Sequence, residues 1–88
     1  MMIPAYEARF KKDYRLAKSR GLDMSKIDAV ITDLITGKPL RIQNRDHPLK
    51  GSYADCRECH IEPDWLLIYK IYGQYITFIR TGTHSDLF

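Results

Sequence analysis

The sequence predicts one α+β domain, residues 1–88, with two N-terminal helices packed on one face of a small antiparallel β-sheet. Three observations predict it. Apolar residues recur at helical spacing from Tyr6 to Leu34. The last third, from Cys56 to Phe88, consists of strand-like apolar runs cut by two turn signals. A chain of 88 residues is long enough for a single core but not for two.

Ile3 to Tyr6 reads as a short edge strand, where the missing donor of Pro4 is tolerated. Residues 7–20 read as a helix with Tyr6, Phe10, Tyr14 and Ala17 as its apolar stripe, ended by Gly21. Asp23 is the N-cap of a second helix, in which Met24, Ile27, Ile31 and Leu34 recur at helical spacing. Gly37 followed by Pro39 stops it, since glycine accepts the left-handed closing conformation and proline cannot continue a helix. The connection 39–53, PLRIQNRDHPLKGSY, is long for so small a domain, and long ordered loops tend to be functional. His47 lies in it, restricted to extended backbone by Pro48.

Three strands follow as a meander over about 54–61, 66–72 and 75–81, with turns at Pro63-Asp64 and Gly73-Gln74. If both turns are two-residue loops, Tyr72 faces Tyr75, Leu67 faces Arg80, and His60 faces Leu67. Residues opposite one another share a side of the sheet, so His60, Leu67, Arg80, Tyr69 and Phe78 would share one face. Cys59, Ile61, Leu66, Ile68 and Ile79 would then form the apolar core face. A one-residue slip in either hairpin would destroy this partition.

The net charge of +3 is uninformative until it is located. Residues 7–20 hold six basic side chains against Glu7 and Asp13, so the positive field sits on the first helix and the remainder is slightly acidic. A solvated helix face explains this, and so does a surface for phosphate backbones. No stretch approaches a membrane span, and the opening MMIPAYEARFKK has no apolar run resembling a secretion signal, so a cytoplasmic protein with no membrane partner is expected.

Cys56-Arg57-Glu58-Cys59-His60 matches the C-x-x-C-H pattern of covalent haem attachment. That chemistry belongs to exported proteins and needs both thiols on one side, whereas strand alternation separates Cys56 from Cys59. The same alternation argues against a disulfide and against a zinc site, which also lacks a second cysteine pair. Two ordinary strand cysteines are the better reading.

His47, His60, Asp64, Arg80 and His84 form the other constellation. No serine or cysteine nucleophile stands out, no glycine-rich phosphate loop is present, and carboxylates are too few for a magnesium site. No metal or cofactor is therefore expected. What remains suits RNA cleavage in which the substrate's own 2′-hydroxyl is the nucleophile. The protein then supplies positioning, an acid, a base and a positive charge. Histidine serves as either acid or base, and an arginine can grip the scissile phosphate with two parallel hydrogen bonds. Trp65, Tyr69 and Phe78 offer flat surfaces on which splayed bases could stack. Each residue also has a plainer role: hydrogen-bonded surface histidines, Trp65 in the core, and Arg80 paired with Glu58 or Asp64.

The segments Asp46–Gly51 (DHPLKG), Cys59–Lys70 (CHIEPDWLLIYK) and Arg80–Phe88 (RTGTHSDLF) resemble the YafQ-like toxins of the RelE superfamily of messenger-RNA interferases. The likeness covers essentially the whole chain, helices included. It implies a RelE-like, microbial-RNase-like fold and ribosome-dependent cleavage of messenger RNA in the decoding A site. It also implies inhibition of translation, with a cognate antitoxin completing a type II toxin–antitoxin system. By resemblance His47, His60, Asp64 and His84 are catalytic, Arg80 stabilises the phosphate, and Trp65 and Phe88 are active-site aromatics. Lys50 is counted with Trp65, Phe88, Tyr69 and Phe78 among the RNA contacts. His84 would be the general acid for the leaving 5′-oxygen, and the base stays open between His60 and Asp64. The basic helix would dock against ribosomal RNA through salt-sensitive phosphate contacts. A different class of function, a non-catalytic RNA- or ribosome-binding module acting by occupancy, fits the same composition.

Overall fold

Helix signals near the N-terminus act as the sequence suggests. In a computed structural model describing residues 1–88, strand β1 (Ile3–Tyr6) leads into α1 (Ala8–Ser19) and α2 (Met24–Thr36). The Asp23 carboxylate accepts from the Ser25 N–H at 3.1 Å, satisfying one of the free amides at the start of α2. Gly37 closes that helix at φ 78°, a left-handed position that side chains with a Cβ resist. No helix is long and apolar enough to cross a membrane.

The long connection carries two 3₁₀ turns, Ile42–Asn44 and Gly51–Tyr53, and the two-residue strand β2 (His47–Pro48). Then come β3 (Arg57–Glu62), β4 (Trp65–Tyr72), β5 (Tyr75–Gly82) and the short helix α3 (His84–Leu87). The sheet order is β1-β5-β4-β3-β2. The meander is antiparallel as expected, but β1 runs parallel to β5 and makes the sheet mixed.

The expected register holds beside the first turn and, after the second, from Tyr72–Tyr75 as far as the expected Tyr69–Phe78 pair. Glu62 faces Trp65 and Tyr72 faces Tyr75, as two-residue loops require. Beyond that, a bulge at Ile61 moves His60 opposite Leu66 rather than Leu67. A second bulge at Ile79 moves Arg80 opposite Ile68, and Leu67 now faces Thr81. Each bulge adds one unpaired residue to one strand and so exchanges which β4 residues accompany its neighbours.

The two faces of β4 are therefore the reverse of the predicted ones. Leu67, Tyr69 and Phe78 join Cys59, Trp65 and Ile76 beneath Phe10, Ala17, Ile27, Val30 and Ile31 of the helices. Leu66 and Ile68 lie on the opposite face, under Leu87 of α3 and the partly buried Leu49, Tyr53, Cys56 and Ile79. The two cysteines fall on opposite sides as expected, and both are free. Burial pushes the Cys59 thiol up to about 12, which keeps it unreactive.

Candidate active site

Three imidazoles meet where β2, β3 and α3 come together. The rings of His47 and His60 lie 6.2 Å apart and those of His60 and His84 lie 5.9 Å apart, centre to centre. His47 is delivered by the β2–β3 pairing, which sets it opposite Glu58, while His60 follows two residues later on β3. His84 opens α3, a turn fixed by a reciprocal cap: the Thr83 hydroxyl accepts from the Asp86 N–H, and the Asp86 carboxylate accepts from the Thr83 N–H.

All three rings are anchored through the same nitrogen. His47 Nδ1 is 2.6 Å from the Arg45 carbonyl, and His60 Nδ1 is 3.3 Å from the Pro63 carbonyl. A carbonyl only accepts, so each of these nitrogens carries the hydrogen and leaves Nε2 for chemistry. Arg45 reaches that position from left-handed backbone at φ 49°, an uncommon conformation for a residue with a Cβ. His84 Nδ1 lies 2.6 Å from Asp64 Oδ1, and the His84 amide donates to the same oxygen at 2.8 Å. That backbone donor and the imidazole hold the Asp64 carboxyl below the usual carboxylate range.

A buried carboxylate sits between two of the rings. Glu58 is 5% exposed, and its Oε1 lies 3.5 Å from Nε2 of both His47 and His60. It is a site residue that sequence reasoning missed. The β3 alternation puts Glu58 on the side of His60, a visible signal, but its contact with His47 depends on β2, which no local pattern announces.

Arg80 completes the row Glu58–Ile68–Arg80 across β3, β4 and β5, roughly 10 Å from Glu58 at the backbone by the spacing of strands. Its guanidinium partner is neither Glu58 nor Asp64. Nε donates to Asp13 Oδ2 at 2.6 Å and Nη2 to Oδ1 at 3.2 Å.

A model of the bacterial toxin of type II toxin–antitoxin systems, YafQ, matches residues 2–88. The mRNA interferase toxin YafQ of Escherichia coli strain K12 is 45% identical over 84 residues, spanning 94% of this chain and 91% of that protein. The chain belongs to the YafQ family of type II toxins. Its fold matches YafQ in the crystal structure of the E. coli DinJ–YafQ complex with a TM-score of 0.94 at 43% identity, covering 100% of this chain and 99% of the other. A metal-bound toxin from Helicobacter pylori matches with a TM-score of 0.92 at 38% identity over the full length of both chains.

Against the YafQ expectations, the aromatic residues divide sharply. Trp65, Tyr69 and Phe78 are buried to 3%, 1% and 0% exposure and offer no face to a base. The bulges put them on the helix side of the sheet. Phe78 packs between Tyr6 and Phe10, with ring centres at 5.4 and 5.8 Å. The Trp65 indole donates to Thr81 Oγ1 at 3.0 Å, the partner a buried indole needs. The Tyr69 hydroxyl donates to Asp46 at 2.7 Å and so ties the residue before His47 to the core. Phe88 differs: it is exposed, edge-on to Tyr53 at 5.9 Å. Lys50 is exposed in the loop just after β2.

His47, Glu58 and His60 also place one ligand atom each within 4.8 Å of one another. Two imidazoles and a carboxylate suit zinc or copper. No metal ligand is expected from the sequence, because the third donor becomes a neighbour only through the fold.

Proposed function

We propose that this chain is a ribosome-dependent endoribonuclease that cleaves messenger RNA in the ribosomal A site and so stops translation. In this reading it acts in the cytoplasm and is held in check by a cognate antitoxin. Its family relative is named an mRNA interferase, and a solved relative is complexed with DinJ. The observation that carries the reading is the shared anchoring by Nδ1 of three neighbouring imidazoles, with ring centres 6.2 and 5.9 Å apart.

In the proposed reaction no metal ion takes part. The 2′-hydroxyl attacks the adjacent phosphorus, the bond to the 5′-oxygen breaks, and a cyclic phosphate and a free 5′-hydroxyl result. His84, as an imidazolium held by Asp64, donates its Nε2 proton to the leaving oxygen. Asp64 suits an orienting role better than that of a base, since a carboxylate already accepting two hydrogen bonds is a poor proton acceptor. His60 Nε2 is then the base, and Glu58 stabilises the imidazolium that forms beside it. Arg80 meets the charge that builds on the phosphate. Phe88 and Lys50 remain as RNA contacts, stacking on the one being worth about 1–3 kcal/mol per base.

His84→Ala should abolish translation-coupled cleavage and growth arrest while circular dichroism stays unchanged. A fully toxic variant would remove His84 from the mechanism. Primer extension on cellular transcripts separates this reading from occupancy of the ribosome, which predicts arrest with intact messenger.

A further inference from the structure

Helix α1 is basic apart from one carboxylate. Between Ala8 and Ser19 the charged residues are Arg9, Lys11, Lys12, Arg15 and Lys18, with Asp13 alone of opposite sign. An acid in that setting would serve solubility if it faced water. Instead the Asp13 side chain is 13% exposed and engages β5 through both oxygens.

The contact has three parts. Oδ2 accepts from Arg80 Nε at 2.6 Å, Oδ1 accepts from Arg80 Nη2 at 3.2 Å, and Oδ2 also accepts from the Thr81 amide at 3.2 Å. The last bond has a structural origin. β1 pairs with β5 only as far as Phe78, so the amide of Thr81 lies beyond the end of that ladder. Asp13 supplies the missing acceptor and is thereby tied to the strand that carries Arg80. The bulge at Ile79, just before Arg80, lies at the same place.

We propose that Asp13 is the positioning residue for Arg80, holding one edge of the guanidinium so that the other is presented to the scissile phosphate. This rests on the ribonuclease reading above. A guanidinium has five N–H donors in a planar fork. Asp13 uses the Nε hydrogen and one on Nη2 and leaves the two along the Nη1–Nη2 edge that matches a phosphate, with Tyr53 as a further hydrogen-bonding neighbour of the guanidinium. The arginine can thus be clamped by a carboxylate and grip a substrate at once. The opposite arrangement, in which Arg80 must leave Asp13 to reach RNA, would make the pair a brake.

The test is single-turnover cleavage on programmed ribosomes with Asp13→Ala, Asp13→Asn, Arg80→Ala and the double variant Asp13→Ala/Arg80→Ala, each checked for folding by circular dichroism. Asp13→Ala should lower kcat by about tenfold to a hundredfold with KM little changed, as expected for a misplaced transition-state group. Asp13→Asn keeps one acceptor and should fall between Asp13→Ala and the parent, and it carries the test if the alanine variant does not fold. In the Arg80→Ala background, Asp13→Ala should cost nothing further. Parent-like or faster cleavage by folded Asp13 variants would overturn the proposal, as would an equal loss with and without Arg80. If Arg80→Ala itself cleaves at the parent rate, the assignment of Arg80 to the phosphate fails instead.

Discussion

Two carboxylates hold two basic side chains of this candidate site, in opposite settings. The side chains of Arg80 and Asp13 are 12% and 13% exposed, and those of His84 and Asp64 are 55% and 65% exposed. The distances are alike, 2.6 Å for the shortest contact in each pair. The difference fits the roles proposed for the two side chains. A guanidinium keeps its charge at any working pH, so it can be taken out of water and fixed once. In the proposed mechanism the His84 imidazole gives up a proton each turnover, so it would have to meet substrate and be recharged from solvent. In this reading position is secured by the buried pair and proton transfer by the open one.

The contrast is broken most directly by removing each carboxylate in turn. Asp64→Ala should slow cleavage by about a hundredfold or more, since an unoriented imidazole presents the wrong nitrogen. The melting temperature should hardly move, because the pair is at the surface. Asp13→Ala should show the reverse balance: a smaller loss of rate and about 2 kcal/mol of stability, the usual value of hydrogen bonds to a charged group. Chemical denaturation of both variants measures this. Equal destabilisation by the two would mean that burial does not distinguish the pairs.

The anchored histidines also differ among themselves. His47 and His60 direct Nε2 at Glu58, whereas Nε2 of His84 has no protein partner. Zinc held by His47, Glu58 and His60 would occupy the nitrogen assigned to the base. Cleavage should fall about tenfold when free zinc reaches ten times its dissociation constant, by simple mass action. A zinc-selective chelator should restore the rate and leave the untreated protein unaffected. Stimulation by zinc would contradict metal-independent chemistry.

Much of this was legible in the chain because the deciding signals are local. The Asp23 cap, the Gly37 stop and the two hairpin turns each act within a few residues, and all appear where expected. The histidines, Asp64 and Arg80 stand in short segments that can be recognised together. The register was illegible for a physical reason. Leu66, Leu67 and Ile68 are apolar on both faces of β4, so no alternation marks which side is covered, and two single-residue bulges cost no change in hydrophobic pattern. Asp13 was hidden by separation: it meets Arg80 across 67 residues. Glu58 required β2, a strand of two residues.

The smallest effect concerns a third pair on the same helix. Arg20, just past the end of α1, donates from Nη1 to Asp86 Oδ2 at 2.8 Å and so ties α1 to the turn that carries His84. The Arg20 hydrogen bond, followed by the Thr83 amide, brings the Asp86 carboxyl down from the ordinary 3.8 to about 2. A depressed carboxyl contributes stability that is fully present above its unfolded value and is lost as pH falls through the folded one. The tail should therefore loosen only between about pH 4 and pH 2, well below neutrality. Arg20→Ala should raise the Asp86 titration toward its ordinary value, read from its side-chain carboxyl carbon by NMR. The Thr83 amide keeps its acceptor in that variant, so the tail should remain docked at neutral pH and cleavage should stay within about twofold of the parent. A larger loss of rate would mean that α1 positions His84 as well as Arg80, and that exposed pairs in this site act on geometry as strongly as the buried one.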